Sequence, residues 1–353
     1  MELIIFPSFL IAAFILSNAL LPKIIGIVKH KNLMEQTNKR SSHQEIVPTL
    51  GGIVFFVTLM LGFYFTRFYD ELRFTELIVP GLVILFFVGL KDDLMVLSPY
   101  TKFAAQIIAC LFVIVHPQFH YVSSSPELFN NAEILVGIIE VVFMVLIINA
   151  FNFIDGIDGL AAGIGLIIFS CYVFFFSLLD DLFMMLIYTI LIGSLIAFFR
   201  FNTSKTKKIF MGDTGSLLLG FMVAIGAIKL LVAGQKINLE LPFTTLQFFL
   251  MVLSILIVPL FDSSRVILIR LLQKKSPFYP DRNHIHHVLI DRFKLNHITA
   301  TLLIIWFNLF IILSQLLLSV FIDQVYSFIL FVSFIVSLVF LFYAFKKTVM
   351  REK

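Results

Sequence analysis

Long apolar stretches separated by short polar gaps run along the whole chain. Most of the stretches hold about 17–25 residues, which is enough for an α-helix to cross about 30 Å of hydrocarbon. The pattern predicts an all-α polytopic integral membrane protein with about eleven transmembrane helices, of which the third and fourth are short. The predicted spans are Leu3–Val28, Val47–Thr66, Glu76–Leu90, Lys102–Val115, Ala132–Phe153, Leu160–Leu179, Leu182–Phe199, Ser216–Ala233, Thr244–Leu272, Ile298–Val320 and Val325–Phe345.

Lysine and arginine residues are unevenly distributed among the gaps. They concentrate in the gaps after the first, third, seventh and ninth spans and in the segment that ends the chain, whereas the other gaps hold few or none. By the positive-inside rule the N-terminus lies outside and the C-terminus is cytoplasmic, as an odd number of spans requires. The first span has almost no basic residues before it and no small-residue cleavage site, so we expect it to be retained as a helix.

The composition supports a single membrane domain, residues 1–353. Apolar residues make up 60% of the chain, against roughly 45–50% in soluble domains. The net charge of +4 reflects topology, because no basic cluster is interleaved with aromatic residues as in a base-stacking groove, and we expect no nucleic-acid partner. Cys110 and Cys171 fall inside spans and are expected to be small buried apolar residues.

Five polar segments fall at the predicted cytoplasmic ends of the spans or in the loops beside them. Their convergence on one membrane face predicts one site, formed by the cytoplasmic loops 29–46, 91–101, 154–159, 200–215 and 273–297. The segments are "HQEIVPTLGG" (His43–Gly52), "GLKDDL" (Gly89–Leu94), "NAFNFIDGIDGL" (Asn149–Leu160), "KIFMGDTGSLLLG" (Lys208–Gly220) and "DRNHIHH" (Asp281–His287).

The adjacent carboxylates Asp92 and Asp93 repel each other, so their placement is most useful beside a cation such as Mg²⁺ or in acid/base chemistry. A pair of solvated acids at a helix end is the alternative. In "GDTGS", Asp213 or Thr214 can cap the helix that follows, and the free N–H groups at that N-terminus, flexed by Gly212 and Gly215, suit a phosphate or a carboxylate. An ordinary N-cap is the alternative there.

The histidine segment places His284, His286 and His287 within four residues. A structural zinc site needs four ligands, and no second Cys or His cluster accompanies this one. Contact with a phosphate suits histidines flanked by Asp281 and Arg282 better. A solvated loop is the alternative.

Polar residues recur every third position in "NAFNFIDGIDGL". At that spacing Asn149, Asn152 and Asp155 share one face of a helix, and the two glycines allow the chain to open near Asp158. Polar groups on one face of a membrane helix end should point into a cavity. A plain turn between two helices is the alternative.

Together these motifs resemble those of the polyprenyl-phosphate N-acetylhexosamine-1-phosphate transferases. The family's Pro-x-x-Gly-Gly segment, Asp-Asp pair, "NxxNxxDGxDGL", "GDxGS" and histidine motif occur here in the family's order across residues 40–290. The resemblance implies that a lipid phosphate attacks the β-phosphorus of a UDP-N-acetylsugar with the help of Mg²⁺, or alternatively Mn²⁺. The products would be a lipid-diphosphate-sugar and UMP.

The span count and "HIHH" are similar to the branch that begins O-antigen, enterobacterial common antigen or teichoic acid synthesis. This branch implies a protein of the bacterial cytoplasmic membrane whose active site faces the cytoplasm. Its substrates would be undecaprenyl phosphate and most simply UDP-GlcNAc, and membrane lipids surround it. The alternatives are the phospho-N-acetylmuramoyl-pentapeptide transferase of peptidoglycan synthesis, an intramembrane prenyltransferase and a transporter. The resemblance leaves three questions open: which sugar is used, whether the protein forms a homodimer, and whether attack is direct or passes through an aspartyl intermediate.

The resemblance also implies roles for individual residues. Asp213 would bind Mg²⁺ with support from Asp155, and Asp92 would act as the base for the lipid phosphate with Asp93 beside it. The implied catalytic residues are Asp92, Asp93, Asp155 and His286; those binding the nucleotide-sugar or phosphate are Asn149, Asn152, Asp158, Arg282, His284 and His287; the metal ligands are Asp213 and Asp155.

Two positions depart from the family pattern. Val96 stands where a third polar residue often follows the Asp-Asp pair, and Val288 stands where an arginine often follows the histidines. These departures weaken a role for a third acid at the first position and for a phosphate-binding base at the second.

Overall fold

The computed structural model describes residues 2–31, 47–70, 73–115, 131–234, 244–276 and 282–351. Nearly all of the predicted loop 29–46, and residues 277–281 of the predicted loop 273–297, lie outside this part of the chain. The described residues form helices joined by short turns. The helices are α1 (Glu2–His30), α2 (Ile53–Thr66), α3 (Phe74–Leu94), α4 (Pro99–Ile114), α5 (Asn131–Ile154), α6 (Leu160–Leu178), α7 (Leu182–Asn202), α8 (Gly212–Gly234), α9 (Thr245–Ile255), α10 (Ile257–Leu272), α11 (Ile285–Asp291), α12 (His297–Phe321) and α13 (Gln324–Arg351).

The predicted class, an all-α polytopic membrane protein, is confirmed. Eight of the described helices are long and apolar enough to cross a membrane, or nine if the bent pair α9 and α10 is one span. The remaining two predicted spans match α4 and the described part of α13, which are apolar but shorter. The number eleven and the orientation of the chain stay predictions.

The predicted continuous span Thr244–Leu272 is wrong in one respect, because its helix bends by 73° between Ile255 and Ile257. Pro259 explains the break. Proline lacks an N–H group, and its ring clashes with the carbonyl four residues earlier, here that of Ile255, the last residue of α9. The bend divides the predicted span into two helices of different direction.

Helix α8 lies at the centre of the molecule, with nearly all its side chains buried. It packs against α2, α3, α5, α6 and α9. A helix that is apolar on every side is either exposed to lipid or enclosed by other helices, and α8 is enclosed. The polar first turn of α8 is consequently held by the ends of several neighbouring helices.

Two glycines permit these neighbours to approach the start of α8. A Cβ atom on Gly52 would lie 2.1 Å from the backbone nitrogen of Gly215, and one on Gly89 would lie 2.7 Å from the backbone of Asp213 and Thr214. Only glycine allows such close contact between backbones. The "PTLGG" and "GLKDDL" segments are therefore brought directly against "GDTGS".

Helix α4 begins with a local signal that fixes the position of its first turn. Ser98 caps the helix by accepting a hydrogen bond of 3.2 Å from the backbone of Thr101, and Pro99 occupies the first helical position. Proline fits there because that N–H group has no partner within the helix. This start places Lys102 in the first turn of α4, facing the end of α3.

Candidate functional site

Asp92 and Asp213 converge on the side chain of Lys102. The ammonium nitrogen of Lys102 lies 2.7 Å from Oδ2 of Asp92 and 2.5 Å from Oδ2 of Asp213. The three side chains come from α3, α8 and α4, and all are largely shielded from solvent. Burying charges is costly unless they are paired. The ammonium group between the two carboxylates reduces their repulsion and allows them to lie close together.

Asn152 orients the other oxygen of Asp213. Its Nδ2 donates to Oδ1 of Asp213 at 3.1 Å and to Oγ of Ser216 at 2.7 Å. The last turn of α5 and the first turn of α8 are thus joined through one amide. Asn152, which the sequence placed on the polar face of α5, lies within the aspartate cluster.

Asp93 caps α8 from a different helix. Its carboxylate accepts hydrogen bonds from the backbone nitrogens of Asp213 at 2.7 Å and Thr214 at 3.0 Å, and from Oγ1 of Thr214 at 2.6 Å. The sequence favoured Asp213 or Thr214 as the cap and expected the free N–H groups to hold a phosphate or a carboxylate. The choice of cap is wrong, because a carboxylate 120 residues away accepts hydrogen bonds from two of these N–H groups. The catalytic role implied for Asp93 stays a prediction beside this structural one.

Asp92 also stabilises the turn that joins α3 and α4. Its Oδ1 accepts a 2.7 Å hydrogen bond from the backbone nitrogen of Leu97, while Oδ2 contacts Lys102. Both oxygens are engaged. Release of Oδ2 by Lys102 would leave Asp92 anchored through Oδ1, which keeps the carboxylate in place for chemistry.

Asp155 follows the last residue of α5 and is surrounded by negative charge. Burial, together with the charges of Asp213, Asp93 and Asp158, raises the pKa of Asp155 to about 8. A carboxyl group in such surroundings binds a proton or a cation readily. This fits the implied role of Asp155 in supporting a metal ion, which stays a prediction.

The side-chain amide of Asn149 forms hydrogen bonds that join α5 to α4. Its Nδ2 donates to Oε1 of Gln106 at 2.6 Å and to the carbonyl of Val145 at 2.8 Å, and its Oδ1 accepts from Nε2 of Gln106 at 3.3 Å. Gln106 belongs to α4, so the pair joins α4 to α5. The predicted contact of Asn149 with a nucleotide-sugar gains no support from these bonds and stays a prediction.

Asp158 holds together three parts of the chain. Its Oδ2 lies 2.5 Å from Nζ of Lys208 and 3.5 Å from Nδ1 of His297, and its carbonyl accepts a 2.7 Å hydrogen bond from Oγ1 of Thr301. Lys208 precedes α8, whereas His297 and Thr301 begin α12. The glycine after Asp158 adopts a left-handed conformation, with φ of 78°, which opens the chain where the sequence predicted.

The histidine motif lies beside the turn that contains Asp155. His284 and His286 are buried, and a Cβ atom on Gly156 would lie 2.3 Å from Nε2 of His286. Burial, then the neighbouring His287, lowers the pKa of His286 to about 3. Burial, then the charge of Arg282, lowers the pKa of His287 to about 4. Both imidazoles are neutral at pH 7 and would meet a phosphate as hydrogen-bond donors.

Arg282 forms a bidentate ion pair with Asp291 beside the histidine motif. Its Nε and Nη2 donate to the two carboxylate oxygens of Asp291 at 2.9 and 3.0 Å. The pair is partly exposed, and such surface pairs contribute little stability. Arg282 can therefore exchange Asp291 for a phosphate at small cost.

Within the part of the chain that the structure describes, no group of three or more His, Cys, Asp or Glu side chains is arranged to hold a metal ion. Mg²⁺ is commonly held by only one or two carboxylates, with substrate phosphates and waters completing its shell. Asp92 and Asp213 already share one cation, the ammonium group of Lys102. The residues present fit a Mg²⁺ ion that is held jointly with a bound diphosphate.

Two residues of this site were missed from the sequence. Lys102 entered only as the first residue of the predicted fourth span, yet its ammonium group lies between two of the aspartates. Asp262, on α10, was not singled out, although it contacts His284 at 2.9 Å. An ionisable residue inside an apolar span is unusual enough to indicate function, and that signal would have found Asp262.

Comparison with known proteins gives a consistent picture. The sequence model described as glycosyl transferase family 4 matches residues 76–231. A Bacillus subtilis (strain 168) protein named probable undecaprenyl-phosphate N-acetylglucosaminyl 1-phosphate transferase is 32% identical over 303 residues, which cover 84% of this chain and 81% of the relative.

Two further relatives come from other bacteria. The decaprenyl-phosphate N-acetylglucosaminephosphotransferase of Mycolicibacterium smegmatis is 31% identical, with 76% of this chain and 71% of the relative covered. The undecaprenyl-phosphate alpha-N-acetylglucosaminyl 1-phosphate transferase of Escherichia coli (strain K12) is 27% identical, with 82% and 78% covered. From this identity and coverage, together with the ordered motifs, the chain belongs to glycosyl transferase family 4.

Proposed function

We propose that the protein transfers N-acetylglucosamine 1-phosphate from UDP-GlcNAc to a polyprenyl phosphate, most simply undecaprenyl phosphate. The products are polyprenyl-diphosphate-GlcNAc and UMP. The observation that carries the proposal is the convergence of Asp92 and Asp213 on one cation at the end of the membrane helices. The names of the three relatives, each an N-acetylglucosamine phosphotransferase acting on a polyprenyl phosphate, support the same reaction.

The reaction requires two polyanions to approach each other. An oxygen of the lipid phosphate forms a bond to the β-phosphorus, and the bond from that phosphorus to the bridging oxygen breaks, so that UMP leaves. Catalysis of such a step consists mainly of alignment and charge compensation. A Mg²⁺ or Mn²⁺ ion held by Asp213 and Asp155 would compensate phosphate charge.

The protein's own residues supply the remaining contributions. Asp92 takes up the proton of a singly protonated lipid phosphate. Lys102 lies within reach of both aspartates and places a positive charge where the phosphates meet. Asn152 holds Asp213 in one orientation, and the neutral imidazoles of His286 and His287 donate hydrogen bonds to the diphosphate.

The location of the aspartates suits both substrates. They lie at the ends of α3 and α8 and next to the start of α4, where a lipid phosphate can reach them while its tail stays in the bilayer. A water-soluble nucleotide-sugar needs access from the cytoplasm. The charge pattern of the loops favours that orientation in the bacterial cytoplasmic membrane, and initiation of a cell-surface polysaccharide is the corresponding role. None of the three relatives carries the name of a pentapeptide transferase.

A transfer assay with purified full-length protein in lipid nanodiscs tests this proposal. The assay contains Mg²⁺, undecaprenyl phosphate and one radiolabelled UDP-sugar at a time, from UDP-GlcNAc, UDP-GalNAc and a UDP-deoxy-N-acetylsugar. We expect lipid-linked label with UDP-GlcNAc and none with Asp213→Asn, although that variant inserts into the membrane. Label with another sugar alone would overturn the choice of GlcNAc, and no label with any sugar would overturn the reaction.

A further inference from the structure

The carboxylate of Asp262 is buried among donors that belong to the histidine motif. The residue lies on α10 just after the bend and is only 2% exposed. Its Oδ2 lies 2.9 Å from Nδ1 of His284, and its Oδ1 accepts a 2.9 Å hydrogen bond from the backbone nitrogen of Ile285. Arg265, one turn later on α10, donates to the same carboxylate at 2.9 Å.

Arg265 adds a second attachment between α10 and the motif. Its Nη2 also donates to the carbonyl oxygen of Asn283. Two side chains one turn apart on α10 therefore bind three consecutive residues, Asn283, His284 and Ile285. A buried carboxylate is costly in an apolar environment unless it is fully paired. A buried attachment of this kind fixes both the position and the rotation of the residue in its middle, His284.

The contact also determines which nitrogen of His284 carries a proton. The guanidinium of Arg265 favours the ionised form of Asp262, and an ionised carboxylate only accepts hydrogen bonds. Nδ1 of His284 must then be the donor. The bond a histidine makes with one ring nitrogen determines what the other can do, and here it leaves Nε2 for contact with a substrate.

We propose that Asp262 is a positioning residue for the transfer reaction: it orients His284, with the proton on Nδ1, so that Nε2 faces the diphosphate of the bound nucleotide-sugar. The proposal rests on the proposed function. Asp262 touches neither substrate and acts through His284.

The orientation of His284 also affects the next histidine. The rings of His284 and His286 are nearly parallel, at 8°, with centroids 5.7 Å apart, and the centroid of the Phe153 ring lies 5.3 Å from that of His284. His286 in turn contacts Gly156 in the turn beside Asp155. A rotation of His284 would therefore disturb His286, which lies closer to the aspartates.

A double-mutant cycle separates positioning from simple stabilisation. The variants are Asp262→Asn, His284→Asn and the double variant, each as full-length protein in nanodiscs, with kcat and KM measured for UDP-GlcNAc. Loss of a residue that orients a reacting group typically costs 10- to 100-fold in activity. We expect D262N to lower kcat by roughly that factor, with no further loss when it is combined with H284N.

A matched control addresses destabilisation. Asp181→Asn removes a carboxylate that lies 2.5 Å from Lys229 in a pair distant from the histidine motif. We expect D181N to keep kcat near the wild-type value. Asp262→Glu serves where D262N folds poorly, because it keeps the charge for Arg265 while moving the carboxylate. We expect D262E to remain folded and to lose kcat.

A spectroscopic measurement does not depend on turnover. Protein labelled with ¹⁵N-histidine should give a His284 signal, assigned by its loss in H284N, with the proton on Nδ1, and this state should change in D262N. Additive losses in the cycle, or equal kcat in D262N and D181N, would overturn the proposal even if the wild type is active. If the wild type makes no lipid product, the proposed function fails, and an unchanged His284 tautomer in D262N would overturn the positioning claim separately.

Discussion

Replacing Lys102 by methionine removes the cation that Asp92 and Asp213 share. Methionine is similar in length and apolar, so the change deletes the charge with little change in volume. Without the ammonium group the two carboxylates face each other directly. We expect the variant to be less stable than the wild type in the absence of divalent cations, and to be stabilised by Mg²⁺ more strongly.

The size of the effect follows from the geometry. The ammonium nitrogen lies 2.7 and 2.5 Å from the two carboxylate oxygens, which are therefore no more than about 5.2 Å apart. Two unit charges at that separation repel by about 3 kcal/mol at an effective dielectric constant of about 20. The repulsion is at least this large while both acids are ionised, because a shorter separation would increase it, and protonation of either acid relieves it. A cation at 100 times its Kd contributes about 2.7 kcal/mol, so Mg²⁺ can restore an amount of similar size.

Thermal unfolding with and without Mg²⁺ measures both effects. Cys110 is buried, so a thiol-reactive fluorescent dye reports its exposure on unfolding, in EDTA and along a Mg²⁺ titration. Lys208→Met is the matched control: Lys208 lies 2.5 Å from Asp158, and its side chain is 21% exposed against 25% for Lys102. We expect K208M to show the Mg²⁺ shift of the wild type.

Two results would refute this reasoning. One is a K102M protein that unfolds at the wild-type temperature in EDTA. The other is a Mg²⁺ shift that is the same in K102M and K208M, because the ion would then not take the place of the missing ammonium group between Asp92 and Asp213.

Three further changes have defined outcomes. Asp93→Ala removes the cap from α8 and should cost about 1–2 kcal/mol together with activity, whereas a wild-type unfolding temperature would show that the bonds to Asp213 and Thr214 contribute nothing. The pKa of His286 is lowered to about 3 in the folded protein, against about 6.5 in the unfolded chain. Between these pH values the unfolded state binds more protons, so the free energy of unfolding decreases as the pH falls. At pH 5 the loss is about 2 kcal/mol. His286→Gln should therefore show a smaller drop in unfolding temperature between pH 7 and pH 5 than the wild type, and an equal drop would contradict the burial argument. Gly52→Ala should cost about 1–3 kcal/mol or more, measured by the same dye assay, because its Cβ atom would lie 2.1 Å from a backbone nitrogen; wild-type stability would contradict the close approach.

Much of the fold could be predicted from the sequence because a bilayer imposes a length and a polarity on each span. Every predicted span coincides with a helix or with the bent pair α9 and α10. The bend itself was missed, although Pro259 within the apolar stretch indicated it. Helix α11 has only seven residues, too few for a periodic pattern to be visible.

Several side chains that meet in the candidate site were singled out from the sequence, but their pairing was not predicted. Asp93 binds the start of α8, Lys102 binds Asp213, and Asp262 binds His284. Each contact joins different helices, and the spacing of residues along one helix carries no information about which neighbour it packs against. The free N–H groups expected at "GDTGS" illustrate this, because a partner on α3 occupies two of them.

The nucleotide released in the transfer reaction tests the proposed function most directly. Transfer of the sugar with its phosphate releases UMP, whereas transfer of the sugar alone releases UDP. Wild-type protein incubated with undecaprenyl phosphate, UDP-GlcNAc and Mg²⁺ should form a lipid whose mass corresponds to undecaprenyl-diphosphate-GlcNAc. It should release one UMP for each molecule of this lipid. Release of UDP with a monophosphate-linked lipid, or of neither nucleotide, would contradict it.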